Sequence, residues 1–395
     1  MRRLASFTLL LAVSCGRALE PTAPMQGLVV HEWGTYTSVQ GSDGLTVDGL
    51  QHEEEALPAF VRQRSVVPTD PKGIEALPGP VNQKLETPVL YFYAPAAMEV
   101  TASVDFPGGI VSQWYPEAER YAPAVGQMAA IAGGHMAWRA QVRPSGAAAA
   151  MQAVPADSVW APSRKVASAL IAVDDAVEKF IFYRGLGKFE VPFRVEARAD
   201  GLLDVVNDSD EPIEDVFLLR VHDAGGATIP LGRIAAHGAI RGVALPVEGK
   251  ERNVDRYVDE TMATVAAALE RSGLYADEAR AMVETWSRSY FRSPGLRVLY
   301  LAPRAWTDRL LPLSVLPQPQ TVVRTLVGRV EVMTRGDEAD LLLRARAAAG
   351  GGEADLVSSL GRFAEPRLRR VRSLTTDLKM IGLLDELVAV AAQSN

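Results

Sequence analysis

The stretch from Gly27 to Gly44 constrains the fold of this chain more than any other. It reads GLVVHEWGTYTSVQGSDG, beginning as an apolar run, continuing with alternating polar and β-prone residues, and ending in a Gly-Ser-Asp-Gly turn. This pattern predicts a strand that is buried at its start and closed by a turn. We therefore expect residues 27–38 to form an extended segment that is held inside the first lobe of the protein.

The composition is that of a folded, acidic protein. Of its 395 residues, 48% are hydrophobic and 23% are charged, and the formal net charge is −7. These values allow a packed core and two or three domains of roughly 100–200 residues each. The acidic balance argues against nucleic acid as a partner, because nucleic-acid binders carry a basic patch. The single cysteine, Cys15, excludes an internal disulfide and CxxC-type zinc or redox sites.

The first fifteen residues have the layout of a bacterial secretion signal. Arg2 and Arg3 precede an apolar stretch that is far shorter than the about 20 residues needed to span a membrane. The stretch ends in Ala-Val-Ser-Cys at Cys15, which resembles a lipobox, where the cysteine becomes lipidated and N-terminal. We expect residues 1–15 to be a lipoprotein signal peptide with Cys15 as the lipid attachment site, and residues 16–26 to be a tether.

This leader predicts an outer-membrane lipoprotein of the bacterial cell envelope. Gly16 follows the cysteine in place of the aspartate that typically retains lipoproteins at the inner membrane. Several acyl chains on one cysteine anchor a protein firmly, so the membrane is a predicted partner. The alternative is an ordinary signal peptide cut near Ala18, with Cys15 discarded. The sequence does not distinguish the periplasmic face of the outer membrane from its surface.

The mature chain changes from a strand pattern to a helix pattern near residue 251. Short β-prone runs between turns predict a first β-rich region over residues 27–160 and an antiparallel β-sandwich region over residues 161–250. A helix pair plus strands is predicted for residues 251–334, and C-terminal helices for residues 335–395. The fold class is therefore α+β. An antiparallel, β-sandwich-like N-terminal lobe is followed by an α/β and then an all-helical C-terminal lobe.

Four motifs are spread along the mature chain. They are the His-Glu-Trp-Gly-Thr start at His31, the acidic run that begins at His52, the segment Phe182–Gly187, and a block over residues 278–331 that contains Met-Val-Glu-Thr-Trp, Leu-Tyr-Leu-Ala-Pro-Arg and Val-Gly-Arg-Val-Glu. Together they resemble a family of uncharacterised secreted proteins from bacteria. The resemblance covers most of the mature chain and implies one integrated architecture rather than loosely joined modules. It implies no activity.

Five side chains are candidate ligands of a divalent metal or another small ligand. They are His31, Glu32, His52, Glu53 and His135. Neighbours in a strand point to opposite faces, so either His31 or Glu32 would need partners from elsewhere. Three nitrogen or oxygen ligands with an open position would suit catalytic zinc, but the spacing matches no established zinc motif. In the alternative interpretation, His31 is a hydrogen-bonded sheet residue and Trp33 belongs to the core.

Two polar runs are interpreted as turns. The acidic run His52–Glu55 is expected to be a solvent-exposed turn, and Asn207–Asp210 a hairpin turn between two apolar strands. For the acidic run, the functional alternative is a carboxylate pair for acid–base chemistry. Nothing in the sequence supplies the second wall of the cleft that such a pair would need.

Several charged residues lie beside apolar strands or helix starts. They are Arg184, Arg304, Asp308, Arg329 and Glu331. Buried or half-buried arginine–carboxylate pairs that hold the lobes together are the expected arrangement. The alternative is an anion-binding site at Arg184 or Arg304, since guanidinium groups bind carboxylates and phosphates through paired hydrogen bonds.

These features favour a binding protein over an enzyme, because no catalytic motif is recognisable. The leading hypothesis is a non-catalytic envelope lipoprotein that binds a protein or glycan partner and needs no cofactor. The rival is an envelope hydrolase, metal-dependent or not, with a site at the mouth of the β lobe. A third hypothesis is that the chain is a structural spacer, and it predicts no concave pocket. The sequence leaves open the ligand, the oligomeric state and whether the chain is an enzyme.

Overall fold

The computed structural model describes residues 27–64, 79–124, 130–144, 151–223, 225–246 and 252–393. The predicted signal peptide, the tether and Cys15 lie outside the described residues. Within them the chain is α+β, as predicted, with a β-rich N-terminal part and helices mostly towards the C-terminus. None of the helices in these ranges is both long enough and apolar enough to cross a membrane.

Strands dominate the first two thirds of the described chain. In order, they are β1 (Val29–Gln40), β2 (Arg62–Gln63), β3 (Gln83–Tyr93), β4 (Met98–Phe106), β5 (Gly109–Tyr115), β6 (Arg120–Ala122), β7 (Gly134–Arg143), β8 (Leu170–Val173), β9 (Ala176–Glu178), β10 (Phe180–Gly187), β11 (Phe193–Ala197), β12 (Leu203–Asn207), β13 (Ile213–His222), β14 (Gly225–Ile234), β15 (Ala239–Val243), β16 (Arg252–Asn253), β17 (Gly295–Leu301), β18 (Leu313–Leu316) and β19 (Thr321–Val332).

Helices follow and separate the last of these strands. They are α1 (Val254–Arg271), α2 (Ala276–Trp286), α3 (Arg304–Leu310), α4 (Arg335–Ala348), α5 (Glu353–Leu360), α6 (Ala364–Leu374) and α7 (Leu378–Gln393), with short 3-10 turns at Ser163–Lys165 and Gly361–Phe363.

Strand β1 lies in the middle of the largest sheet. All twelve of its residues are buried, which confirms the extended segment expected for residues 27–38. It pairs antiparallel with β3 and parallel with β19, so that Val29 lies opposite Thr321. The strand order of this ten-stranded sheet is β16-β14-β13-β17-β19-β1-β3-β10-β5-β2. One sheet therefore joins strands that lie more than 200 residues apart in sequence, from residue 29 to residue 332.

The two faces of the large sheet have different coverings. On one face, Val30 and Tyr36 pack into a core shared with a six-stranded sheet (β18-β4-β7-β8-β9, with β6 beside β7) and a three-stranded sheet (β11-β12-β15). On the other face, Val29 and Trp33 pack against helices α1 and α2. Side chains alternate along a strand, so β1 contributes to both layers. The sandwich predicted for the N-terminal part is present, and a helical layer covers its back.

The helices carry apolar stripes at helical spacing. In α1, the positions Val258, Val265 and Leu269 are buried, as their three- and four-residue steps predict, and the Asn253 side chain caps the helix by accepting from the backbone N–H of Arg256. Helices α4 to α7 enclose a separate small core. The strand side contributes few apolar side chains to that core, among them Val39 and Met333.

The hairpin predicted at Asn207–Asp210 is wrong. Strand β12 belongs to the three-stranded sheet and β13 to the ten-stranded sheet, so this turn carries the chain from one layer to the other. The buried Asn207 side chain fixes the turn: its amide donates to the carbonyls of Glu211 and Ala235, and its oxygen accepts from Ser209. Two apolar runs joined by a polar turn look the same in sequence whether they pair with each other or pack in opposite layers.

Candidate functional site

The five candidate metal ligands do not come together. His31 lies on β1. The carbonyl of His52 accepts from the ammonium group of Lys84, and Lys84 lies opposite Thr37, which is also on β1. Six residues of strand separate these two register positions, or about 20 Å. Among the described residues, no group of three or more His, Cys, Asp or Glu side chains could hold a metal ion.

Each of the five has a different partner. His31 Nδ1 lies 2.7 Å from Glu278 Oε2, and both side chains are buried. Glu32 points to the opposite face of the sheet, where it accepts from Arg324 and Tyr183. These contacts, with Trp33 fully buried in the core, confirm the interpretation of His31 as a hydrogen-bonded sheet residue.

The remaining candidates also have partners of their own. His135 Nδ1 lies 2.7 Å from Asp105, on an exposed part of the six-stranded sheet. His52 Nε2 lies 3.8 Å from Glu365 of helix α6. Glu53 pairs with Lys84 at 2.9 Å and with Arg184.

The solvent-exposed turn predicted for His52–Glu55 is wrong. Glu54 pairs with Arg329 and Arg362, each at 2.9 Å, and both guanidinium groups are buried. The acidic run therefore packs against buried guanidinium groups and does not face only water. Its sequence shows the carboxylates but not the cations, which come from strands and a helical turn far along the chain.

We name this arrangement the buried charge cluster. Its cations are Lys84, Arg184, Arg297, Arg329 and Arg362, and its carboxylates are Glu53, Glu54, Glu86 and Glu331. The cationic side chains are at most 7% exposed, even though they come from β3, β10, β17, β19 and the turn before α6. The cluster thus lies where the large sheet meets the C-terminal helices.

Two carboxylates of the cluster, Glu86 and Glu331, are strongly stabilised in their charged form. Glu86 accepts from Thr37 and Tyr290 and pairs with Arg362. Burial alone would raise its pKa, but Arg362 and Arg329 outweigh burial and hold the pKa well below the usual range. Glu331 is likewise buried, and Arg297 and Arg329 lower its pKa to about 2.

The pKa of the lysine in the cluster is also lowered, but for a lysine this disfavours the charged form. Burial lowers the pKa of Lys84 to about 8, against the pull of Glu53. Its ammonium group donates to the carbonyls of Gln51 and His52. Lys84 therefore fixes the backbone of the acidic run directly beside the sheet.

The expectation of buried pairs holds for part of the predicted set. Arg184 and Arg329 are buried and paired, as is Glu331. It is wrong for Arg304, which is 47% exposed and pairs with Asp308 four residues later on helix α3. An exposed pair of this kind contributes little to stability.

A cleft lies on the outer side of the segment that follows the acidic run. It has a volume of about 480 Å³, and we name it the aromatic groove. Its residues include Phe60 and Tyr115, with a polar rim of Arg62, Glu117, Gln152, Asp174 and Asp175. The half-buried Phe60 ring lies 4.6 Å from Tyr115 and 5.5 Å from Trp160, measured between ring centroids. A neighbouring cleft of about 390 Å³ shares Ala59 and Val61 with it.

The rim carries two adjacent carboxylates on a tight turn. Asp174 and Asp175 form the two-residue turn between β8 and β9, and both are exposed. Asp174 has a φ of +48°, a left-handed conformation that aspartate, asparagine and glycine adopt in two-residue hairpin turns. The turn places two exposed carboxylates at the edge of the groove.

The sequence does not predict the aromatic groove. Its walls come from four segments, near residues 60, 116, 152 and 175, that the fold alone brings together. The Asp-Asp pair between two short apolar runs was a local signal of a tight turn, but nothing in the sequence linked it to Phe60.

The comparisons with known proteins give no family. No family model and no curated protein matches the chain. Among solved structures, the chain is similar to a yeast delta-COP-I mu-homology domain, alone and in complex with a Dsl1 WxWxV peptide. The match to the complex has 10% sequence identity and covers 78% of this chain and 98% of the yeast chain. The match to the free domain has 9% sequence identity and covers 79% of this chain and 100% of the yeast chain. Both have a TM-score of 0.28, which supports no conclusion about this chain.

Replacing Arg329 with methionine tests the buried charge cluster. The variant Arg329→Met removes the partner of Glu331 and Glu54 and leaves both carboxylates underpaired in a buried position. We expect the free energy of unfolding to fall by about 3–5 kcal/mol, as measured by urea denaturation followed by circular dichroism. The control is Arg139→Met, which breaks an exposed pair with Glu119 and should change stability by less than about 1 kcal/mol. Equal losses in the two variants would contradict the account.

Proposed function

We propose that the chain is an outer-membrane lipoprotein of the bacterial envelope that binds a glycan in the aromatic groove and catalyses no reaction. The observation that carries the proposal is the half-buried Phe60 ring in a cleft whose rim is polar on several sides. The C–H face of a sugar ring is apolar and packs on an aromatic ring, whereas its hydroxyl groups need donors and acceptors around the edge.

The rim supplies both kinds of hydrogen-bonding group. Asp174 and Asp175 provide acceptors, Arg62 provides donors, and Gln152 provides both. The Tyr115 ring adds apolar surface beside Phe60, whereas its hydroxyl oxygen is buried. The volume of the groove falls within the usual range for small-molecule sites, and a small glycan fits it better than a flat protein surface does.

The rival hydrolase has no observation in its favour. Its histidines and carboxylates are used in separate structural contacts, and in the part of the chain that the structure describes they do not converge on one cleft. Glu53, which lines the neighbouring cleft, is held by Lys84 and Arg184. We therefore propose binding without catalysis.

The lipid anchor is tested by the variant Cys15→Ser. The wild-type protein should fractionate with outer membranes, because several acyl chains hold it there. The variant, which lacks the sulfur that receives the lipid, should appear in the soluble envelope fraction when membranes are separated and probed with antibody. Ser14→Ala keeps a small residue before the cysteine and should stay with the membranes. A membrane-bound Cys15→Ser protein would contradict lipid anchoring through this cysteine.

Glycan binding is tested by titrating the mature protein with chitotetraose, cellotetraose and tetragalacturonate in a calorimeter. At least one of them should bind, and Phe60→Ala should weaken that binding at least about tenfold, because the apolar platform is lost. Tyr121→Ala removes an aromatic ring that lies on β6, is 38% exposed and does not line the groove, so it is the matched control. Circular dichroism would verify that both variants fold.

Two results would contradict the proposal. One is the absence of binding by all three oligosaccharides. The other is binding that Phe60→Ala and Tyr121→Ala weaken equally, which would move the site away from the groove.

A further inference from the structure

We propose that the ligand of the aromatic groove is an aminoglycan, an oligosaccharide whose sugars carry free, protonated amino groups. This ligand class rests on the glycan binding proposed above and adds the charge of the ligand, which an aromatic platform alone leaves open. The observation that carries it is the excess of negative charge along the rim of the groove.

The described residues that line the groove include one guanidinium group and three carboxylates. They are Arg62, Glu117, Asp174 and Asp175. Arg62 Nε lies 2.7 Å from Glu117 Oε2, and Glu117 also accepts from the indole N–H of Trp114. The cation of the lining is therefore neutralised by one of the carboxylates, and the charges of Asp174 and Asp175 remain.

The two aspartates have no counter-charge of their own. Neither side chain makes an ion pair or a hydrogen bond with the residues that the structure describes, and both are exposed. Arg139, on the neighbouring strand β7, pairs with Glu119 at 3.2 Å. Adjacent carboxylates on one turn repel each other, and a bound cation relieves that repulsion. The turn thus presents charge and acceptor oxygens that a cationic ligand can use.

The charges beneath the groove balance one another. Arg164 lies 5.8 Å from the centre of the Phe60 ring and pairs with the buried Glu178 at 2.6 Å. Burial lowers the pKa of Lys179, whereas Glu178 and Asp277 raise it. Two cations therefore face two carboxylates in this layer, and the excess negative charge of the rim is not cancelled from below.

The neighbouring cleft brings no surplus cation either. The charged residues in its described lining are Glu53 and Glu55. Lys84 and Arg184 lie behind Glu53 and pair with it. A longer ligand that continues from the aromatic groove into this cleft therefore meets carboxylates again.

A sugar amino group suits this rim because of where it lies on the ring. It projects from the edge of the ring, in the same belt as the hydroxyl groups, so it points to the rim when the apolar face packs on Phe60. An ammonium group donates up to three hydrogen bonds, and those to carboxylates are about twice as strong as neutral ones. An acetamido group lacks this charge, and the carboxylate of a uronic acid would be repelled by Asp174 and Asp175.

Calorimetric titration of the mature protein with two matched ligands tests the charge of the glycan. They are chitotetraose and its fully de-N-acetylated form, the glucosamine tetramer, in a mildly acidic buffer that protonates the amines. The glucosamine tetramer should bind at least about tenfold more tightly, and added salt should reduce this preference, because screening weakens exposed ion pairs.

Two outcomes separate this inference from the proposed function. Chitotetraose that binds as tightly as the glucosamine tetramer, or more tightly, would overturn the aminoglycan and leave glycan binding in place. Binding by neither tetramer would overturn both.

The double variant Asp174→Asn with Asp175→Asn assigns the preference to the rim. Asparagine suits the positive φ of the turn, so the variant keeps the backbone and loses the charge. It should bind the two tetramers with similar affinity. The control, Asp259→Asn with Asp355→Asn, makes the same charge change at exposed positions outside the groove and should keep the preference. A preference that persists equally in both double variants would overturn the inference.

Tetralysine separates an aminoglycan from a cationic peptide. It carries ammonium groups but no sugar rings, so it should bind more weakly than the glucosamine tetramer, because nothing in it replaces the sugar face that packs on Phe60. Tetralysine that binds as tightly as the glucosamine tetramer would overturn the aminoglycan in favour of a peptide partner.

Discussion

The structure depends on how five buried cations are neutralised. Burying a guanidinium or ammonium group is costly unless carboxylates and hydrogen bonds surround it, and here those partners come from distant parts of the chain. Glu86 comes from β3, Glu331 from β19 and Glu54 from the segment after β1. The ion pairs of the cluster therefore form only when the sheet, the acidic run and the turn before α6 come together.

The same cluster fixes the segment that leads into the aromatic groove. Lys84 and Arg184 hold Glu53, and this fixes the start of the segment that presents Phe60 to the aromatic groove. The groove is thus built on an anchored loop. Few apolar side chains of the strands pack against the C-terminal helices, so ion pairs such as those of Arg362 contribute much of the contact between them.

Local patterns in the sequence were enough to predict the strand over residues 27–38, the apolar stripe of α1 and the α+β class, because period and burial are local properties. They were not enough for the hairpin at Asn207–Asp210 or the acidic run at His52–Glu55. Both errors have one cause: the partner of each segment lies in another layer, and the sequence pattern of a segment does not encode its partner. Phe60 was missed for the same reason.

The central claim is that buried ion pairs hold the C-terminal helices on the sheet, and hydrogen exchange at decreasing pH tests it most directly. Glu86 on β3 pairs with Arg362 in the turn before helix α6, and its pKa lies well below the 4.5 of a free glutamate, so its stabilisation is complete above pH 4.5 and is lost as the pH falls towards that lowered pKa. Over this range, helix α6 should lose protection before α1, which packs on an apolar core. Simultaneous loss in both helices, or loss in α1 first, would contradict the claim.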